Sequence, residues 1–246
     1  MPPVPRPPGD TNRRKRLLLI ALVVALVVTA VLIAGSIILG GSESDNAATG
    51  TTTVGGTPAA LALIKGIPQQ GSILGRPTAP TRMLQYEDLQ CPICKEYTDA
   101  ALPTVIDEYV RTGRLKLDFR GLAFLGDDSQ KAMRIALAAG KQNKLWDVAG
   151  LFYANQGEEN SGWVTDELVD EILAQVPGLD AAKVKADAKS EEITKELATI
   201  QAEASANGVQ GTPAFFIATG VNQPRQIQVA LTPESFRSVL NQALQG

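Results

Sequence analysis

The chain has no histidine and only two cysteines among its 246 residues. The first absence removes Ser-His and Cys-His nucleophilic machinery and every histidine metal site. Two thiolates cannot close a four-ligand zinc site unless carboxylates complete it, so no metal is expected. Net charge is small as well. A net value of −3 lacks the basic field that nucleic-acid binding needs, and no nucleic-acid partner is expected. Apolar residues make up 44% of the chain, enough for a hydrophobic core. The length leaves room for one generous domain beyond the N-terminal segments.

What is present begins with a long hydrophobic run. Leu17 to Leu39 is apolar or small throughout. At about 1.5 Å per residue, such a helix crosses a hydrocarbon core of about 30 Å. Arg13, Arg14, Lys15 and Arg16 precede it, while Glu43 and Asp45 follow with no nearby cation. The basic flank is expected to stay in the cytoplasm and the remainder to be exported, as in a single-pass protein of the cell membrane. A cleavable signal peptide is the alternative. Its hydrophobic region would run about 7–15 residues, so the length of this run favours an uncleaved anchor. Residues 1–16 are expected to form a disordered, proline-rich stub. Residues 40–58, rich in Gly, Ser, Thr and Ala, are expected to form a flexible linker. The extracytoplasmic domain then occupies 59–246.

Within that domain, Thr81 to Tyr86 has the composition of a short strand. A helix is expected from Cys91, with Tyr97, Ala101, Val105 and Tyr109 on one buried face. Pro103 should bend this helix and Gly113 should end it. Arg114 to Phe119 alternates polar and apolar residues, which predicts a strand. Helical patterns follow at Ser129–Ala139, Leu145–Tyr153 and Asp166–Gln175, the last capped by Thr165. A further helix is expected from Asp180 to Asn207-Gly208, with Ile193, Leu197, Ile200 and Ala204 as its stripe. Ala214–Ala218 and Gln226–Ala230 predict a hairpin. Thr232-Pro233 opens a last helix that buries Phe236, Val239, Leu240 and Ala243. The order is that of an α/β sheet domain interrupted by an all-helical insertion at about 126–206.

Both cysteines lie in one segment, Cys91-Pro92-Ile93-Cys94. A strand that delivers Cys91 to a helix N-terminus places its sulfur near unpaired amides and the positive end of the helix dipole, which favours the thiolate. Pro92 is tolerated in a first turn. Cys94 lies one turn along on the same face, within disulfide range. Cys91 is expected to be the exposed attacking thiolate and Cys94 the buried resolving thiol. The competing reading is a static bridge. A bridge across so short a segment constrains little of the unfolded chain and stabilises weakly. A second signal is Thr212-Pro213 at the start of Ala214-Phe215-Phe216-Ile217, which taken alone reads as an ordinary loop proline and beside the cysteine helix as a rigid turn that suits a cis bond.

Asp88-Leu89-Gln90-Cys91-Pro92-Ile93-Cys94 resembles the active-site segment of the DsbA-like branch of the thioredoxin superfamily. Gly208 to Ile217 resembles the cis-proline loop of that branch. The helical block, with Leu145-Trp146 and Asn155-Gln156, resembles its insertion. The likeness covers about Ile67 to Leu244. It implies a thioredoxin fold and disulfide exchange, with Cys91 as nucleophile, Cys94 as resolving thiol and Pro213 as the cis-proline. It also implies that the Thr212 backbone pairs with an extended substrate, with Pro92 and Ile93 beside it. No bound cofactor is implied, because the thiols carry the chemistry. Two positions depart from the pattern. Many relatives carry a buried acid six residues before the first cysteine, where this chain has Gln85. Glu87 and Asp88 are the nearby substitutes, with a solvated loop charge as the competing reading for each. Strongly oxidising relatives often have histidine where Ile93 stands.

The expected function is oxidation of reduced or misoxidised exported proteins, with a membrane redox partner. A reductase or isomerase of the same fold is one alternative, and a non-catalytic, chaperone-like peptide-binding module is another. Trp146 and Trp163 are assigned to packing, Glu158-Glu159 to a solvated loop, and the charges from Lys183 to Glu196 to an exposed helix face.

Overall fold

The computed structural model describes Gly55 and residues 57–245. The expected stub at 1–16, the expected membrane helix at 17–39 and most of the expected linker lie outside the described residues. Among those described, no helix is long and apolar enough to cross a membrane.

The sheet is built around β3 (Thr81–Glu87) and β4 (Leu115–Gly121). These two strands run parallel, in register from Thr81 opposite Leu115 to Glu87 opposite Gly121. β5 (Ala214–Thr219) pairs antiparallel with the other side of β3, and β6 (Arg225–Ile227) follows it at the edge. Beyond β4 lies a hairpin of two-residue strands, β1 (Gln69–Gln70) and β2 (Ile73–Leu74). The order is β1-β2-β4-β3-β5-β6. A strand with neighbours on both sides and covered faces buries nearly every side chain, and β3 exposes only Arg82 in part.

Side chains alternate across a strand, so Met83, Gln85 and Glu87 share one face. The helices α2 (Pro92–Ala100) and α3 (Leu102–Val105), a π-helical turn (Ile106–Val110) and the C-terminal helix, defined below, pack there. Tyr97 of α2 lies 4.7 Å from the ring of Phe215 on β5 and 5.2 Å from Phe236. Such aromatic pairs add about 0.5–1.5 kcal/mol each beyond area burial. The opposite face presents Tyr86 against Phe216, with the Tyr86 hydroxyl accepting from Asn207.

Between β4 and β5 the chain is all helical: α4 (Asp127–Gly140), α5 (Leu145–Ala154), α6 (Asp166–Ala174), α7 (Ala181–Asp187) and α8 (Glu191–Ala206). Helix α9 (Pro233–Ala243) closes the fold. This is a thioredoxin fold with a helical insertion.

Four sequence expectations need correction. The helix expected from Asp180 to Asn207 is two helices, because the Ser190 side chain accepts from the Ile193 N–H and starts α8 afresh. The helix from Cys91 does not simply bend at Pro103. It ends at Ala101 and restarts, with Pro103 in the first turn of α3, where a missing N–H is harmless. The second hairpin strand is Arg225–Ile227 rather than Gln226–Ala230. The last expected linker residues, Thr57 and Pro58, belong to a helix, α1 (Thr57–Ile64), whose C-terminal carbonyls at Leu63 and Lys65 receive the Arg111 guanidinium.

Gly121, opposite Glu87, admits the insertion. A Cβ there would lie 2.1 Å from the Met133 sulfur of α4. Gly121→Ala is expected to lower stability by about 1–3 kcal/mol through overpacking. The midpoint of urea unfolding measures this, and an unchanged midpoint with an unchanged slope would contradict it.

Candidate active site

The end of β3 turns sharply through Asp88, Leu89 and Gln90 before α2 begins. One Asp88 carboxylate oxygen accepts from the Gln90 N–H at 2.9 Å and from the Ser129 hydroxyl. The other accepts from the Phe124 and Leu125 N–H groups at 3.1 and 3.3 Å. Asp88 therefore ties the turn to the end of β4 and to α4, and is fully buried. Its charge is met by several donors, as a buried carboxylate requires. The solvated-loop reading fails for Asp88, and it fails for Glu87, which is 2% exposed.

Cys91 occupies the N-cap of α2, with Pro92 in the first turn. The main-chain N–H groups of Ile93 and Cys94 point at its sulfur. The Cys94 thiol hydrogen-bonds to it, and the Thr212 side chain contributes a further bond. Together these donors, Cys94 foremost, outweigh burial and bring the Cys91 thiol down to about 6. In its protonated form the thiol lies 3.5 Å from the Thr212 carbonyl, to which it donates. The Thr212–Pro213 bond is cis. The sequence places Cys91 as an exposed thiolate, yet it is 6% exposed. The cis-proline loop covers it from one side and the insertion from the other.

Cys94 is fully buried. Burial first, then its bond to Cys91 and the negative potential of Glu87, hold its thiol far above the ordinary range. The two sulfurs thus differ sharply, although one helical turn separates them. Both are free thiols here.

Glu87 shares the face of Gln85, which donates to the Tyr97 hydroxyl at 2.9 Å and offers no titratable group. Tyr153 of α5 donates to a Glu87 oxygen at 2.8 Å. Desolvation dominates over that one bond, and with the nearby Cys91 charge it raises the Glu87 carboxyl to about 8. Sequence reasoning named Glu87 but missed Tyr153. It also missed the role of Gln156, whose side-chain amide donates to the carbonyls of Leu89 and Cys91 at 2.9 and 3.2 Å. Tyr153 stands in the last turn of α5, and Gln156 lies two residues beyond its end. Trp146 is packed, its indole N–H on the Ser72 carbonyl. Trp163 is half-buried and donates to Gln90, the residue before Cys91.

On the solvent side, Pro92 and Ile93 are exposed, Ile93 by 48%. A groove of about 520 Å³ runs from Ile93 past Thr212 and Pro213 to Gln226. A lowered thiolate, a raised thiol partner and an open groove beside them equip the site for thiol–disulfide exchange. Fold and site together define a DsbA-like thiol–disulfide oxidoreductase of the thioredoxin superfamily.

Comparison with known proteins gives the particular family. The family described as thioredoxin matches residues 69–242, and the chain belongs to it. A probable disulfide bond formation protein D of Bacillus cereus is 28% identical over 154 residues, 61% of this chain and 71% of that protein. The disulfide bond formation protein D of Bacillus subtilis is 25% identical, over 63% of this chain and 68% of that protein. Among solved structures, oxidised BdbD from Bacillus subtilis superposes with a TM-score of 0.63 at 19% identity, covering 73% of this chain and 98% of the other. MdbA, a thiol–disulfide oxidoreductase from Corynebacterium diphtheriae, gives 0.57 at 18% identity, covering 72% and 93%.

Two titrations follow from the shifts. Cys91 is an acid lowered by folding, so its contribution to the stability of the reduced protein is lost as pH falls through about 6. Its alkylation by iodoacetamide should rise with pH around that same midpoint while Cys94 stays unmodified. A midpoint near that of a free thiol would contradict the arrangement. Glu87 is an acid raised by folding. Its contribution is present below 4.5 and lost as pH rises through about 8. Glu87→Gln should remove that decline from a stability–pH profile, and an unaltered profile would show that Glu87 is not the buried acid described.

Proposed function

We propose that this chain is a membrane-anchored, extracytoplasmic oxidoreductase that oxidises cysteines of exported proteins. The observation that carries the exchange chemistry is the Cys91 sulfur, lowered to about 6 and held beside Cys94 and Thr212. The proposed roles are Cys91 as nucleophile, Cys94 as resolving thiol, and Thr212-Pro213 with Pro92 and Ile93 as the surface an extended substrate strand lies on. A substrate thiolate attacks the Cys91 sulfur of the disulfide form. The Cys91–Cys94 bond breaks, and Cys94 departs as a thiolate that takes up one proton. A second substrate thiolate attacks the substrate sulfur of the mixed disulfide, and Cys91 leaves as a thiolate. Two electrons have passed from substrate to protein, and a membrane thiol–disulfide partner takes them away.

The oxidising direction is supported by the stabilised thiolate. A shift from 9.0 to about 6 favours the reduced form at neutral pH by about 1.4 kcal/mol, equivalent to about 30 mV toward oxidant behaviour. The names of the Bacillus relatives, disulfide bond formation protein D, support the same direction. The exported location is supported by the Leu17–Leu39 run behind four basic residues. Glu87 is the proposed proton acceptor and donor for Cys94, taking the place of the acid that Gln85 lacks.

The test is a trapping experiment in cells. Cys94→Ala should accumulate mixed disulfides between Cys91 and exported proteins, and Cys91→Ala should trap none and lose activity. The wild-type pair should be mostly oxidised at steady state. A mostly reduced pair would replace the oxidase with a reductase, and full activity of Cys91→Ala would end the enzymatic proposal altogether.

A further inference from the structure

The sheet has two ends. β3, β4 and β5 reach the active-site end at Glu87, Gly121 and Ala214. Their other ends, Thr81, Leu115 and Thr219, lie about 20 Å away at about 3.3 Å per residue. Lys65, Arg76, Arg114, Lys116 and Arg225 gather at that far end. The Lys65 carbonyl receives Arg111 at 2.9 Å, and the Arg76 side chain lies over Gly113, just before β4. Lys116 on β4 donates to the Pro77 carbonyl at 2.8 Å, and Arg225 opens β6 opposite Ile217. None of these five cations has an ion-pair partner among the described residues, a state shared elsewhere only by Arg134 and Lys189 on the insertion. The acids nearby are taken. Asp107 pairs with Arg111 at 2.9 Å and Glu108 with Arg237 at 2.8 Å. Asp118 is 2% exposed and pairs with Arg82 and Arg120. The sequence gives the reason for the excess: no acidic residue occurs from Asn46 to Tyr86 or from Ala204 to Pro233.

An apolar group stands among these charges. Val221, in the turn between β5 and β6, is 100% exposed. A single exposed apolar residue is ordinary, but Val221 shares a groove of about 550 Å³ with Arg82 and Lys116. The other exposed large apolar side chains among the described residues, Ile93 and Phe124, stand at the active-site end. Cations around a protruding apolar side chain match a bilayer surface that carries negative headgroups over an acyl layer. The active-site end has the opposite charge. Glu158 and Glu159 are exposed there beside Asn160, whose side chain accepts from Gln90 next to Cys91. An anionic surface therefore attracts one end of the domain and repels the other. We infer that the far end of the sheet docks on the anionic lipid headgroups of a bilayer, with Val221 entering the headgroup–acyl boundary, and that docking turns the Cys91 site away from the membrane toward arriving exported chains. The inference rests on the membrane-anchored reading above. Docking leaves the groove beside Ile93 and Pro213 free, because the two grooves share no lining residue.

The experiment places the full chain, domain outward, in vesicles of phosphatidylcholine alone or with about one third phosphatidylglycerol. Acetylation of each lysine by a dissolved reagent is followed by mass spectrometry. With phosphatidylglycerol, Lys65 and Lys116 should react at least about fivefold more slowly, while Lys95 on α2 and Lys189 on the insertion keep their rates. Salt at about 0.5 M should remove the difference. Val221→Trp should be quenched by bromine-labelled acyl chains in the anionic vesicles alone, beyond the background of Trp146 and Trp163 in the wild-type chain. Arg76→Gln combined with Arg225→Gln should lose protection and quenching together, with the pH midpoint for Cys91 alkylation unmoved. Equal acetylation in the two vesicles overturns the docking. Protection without quenching at position 221, matched by dissolved polyphosphate over phosphatidylcholine vesicles, overturns the bilayer as the occupant. Flotation of the chain tests the anchor separately. A chain that floats only with anionic vesicles refutes the anchor and supports the docking, and one that floats with neither overturns both.

Discussion

Two adjacent carboxyl groups, Glu87 and Asp88, are buried at the end of β3 and are satisfied unequally. Asp88 receives N–H groups from Gln90, Phe124 and Leu125 and the Ser129 hydroxyl. Charge-assisted bonds of this kind fix a turn firmly. Glu87 receives one hydroxyl, from Tyr153, which is too little to offset its desolvation. The first carboxylate is thus a structural anchor. The second stays poised to hold or release a proton near neutrality. The active-site helix starts where it does because Asp88 shapes the turn, and Cys94 sits over a titratable floor because Glu87 was left short of donors.

The helical insertion does more than cover the sheet. Tyr153 in the last turn of α5 and Gln156 just beyond it reach the Glu87 carboxyl and the carbonyls of Leu89 and Cys91. Gln90 is held by the Leu125 carbonyl, by both the side chain and the N–H of Asn160, and by the Trp163 indole. Every residue from Glu87 to Cys91 is therefore bonded across the chain to a segment after β4, Leu89 through its carbonyl alone. A catalytic turn fixed by a neighbouring layer keeps donors aimed at one sulfur without reorganisation at the moment of reaction.

The strands β3 and β4 were legible in the sequence because their apolar residues either run together or alternate, and the helix caps at Thr165, Asp180 and Thr232 are side-chain signals that act locally. The hairpin β1–β2 was not, since two-residue strands carry no period. The break at Ser190 was hidden by an unbroken supply of helix formers on both sides. In the site, the cysteine pair was visible from its spacing, and the loop at Pro213 gained meaning only beside that pair. The burial of Cys91 depends on Thr212, 121 positions away, and that of Glu87 on Tyr153, 66 positions away. No local pattern reports such contacts.

Strand geometry relates Gln85 to the buried acid Glu87 two positions on. Two steps along a strand return a side chain to the same face, displaced by about 6.6 Å. Glu87 therefore looks into the same layer as Gln85 and lies closer to the start of α2. Gln85 donates to the Tyr97 hydroxyl, which is itself packed on Phe215 and Phe236. Glu87 has Tyr153 as a partner and the α1–α2–α5 cavity as a neighbour. The groove beside Ile93 and Pro213 shares no lining residue with that cavity.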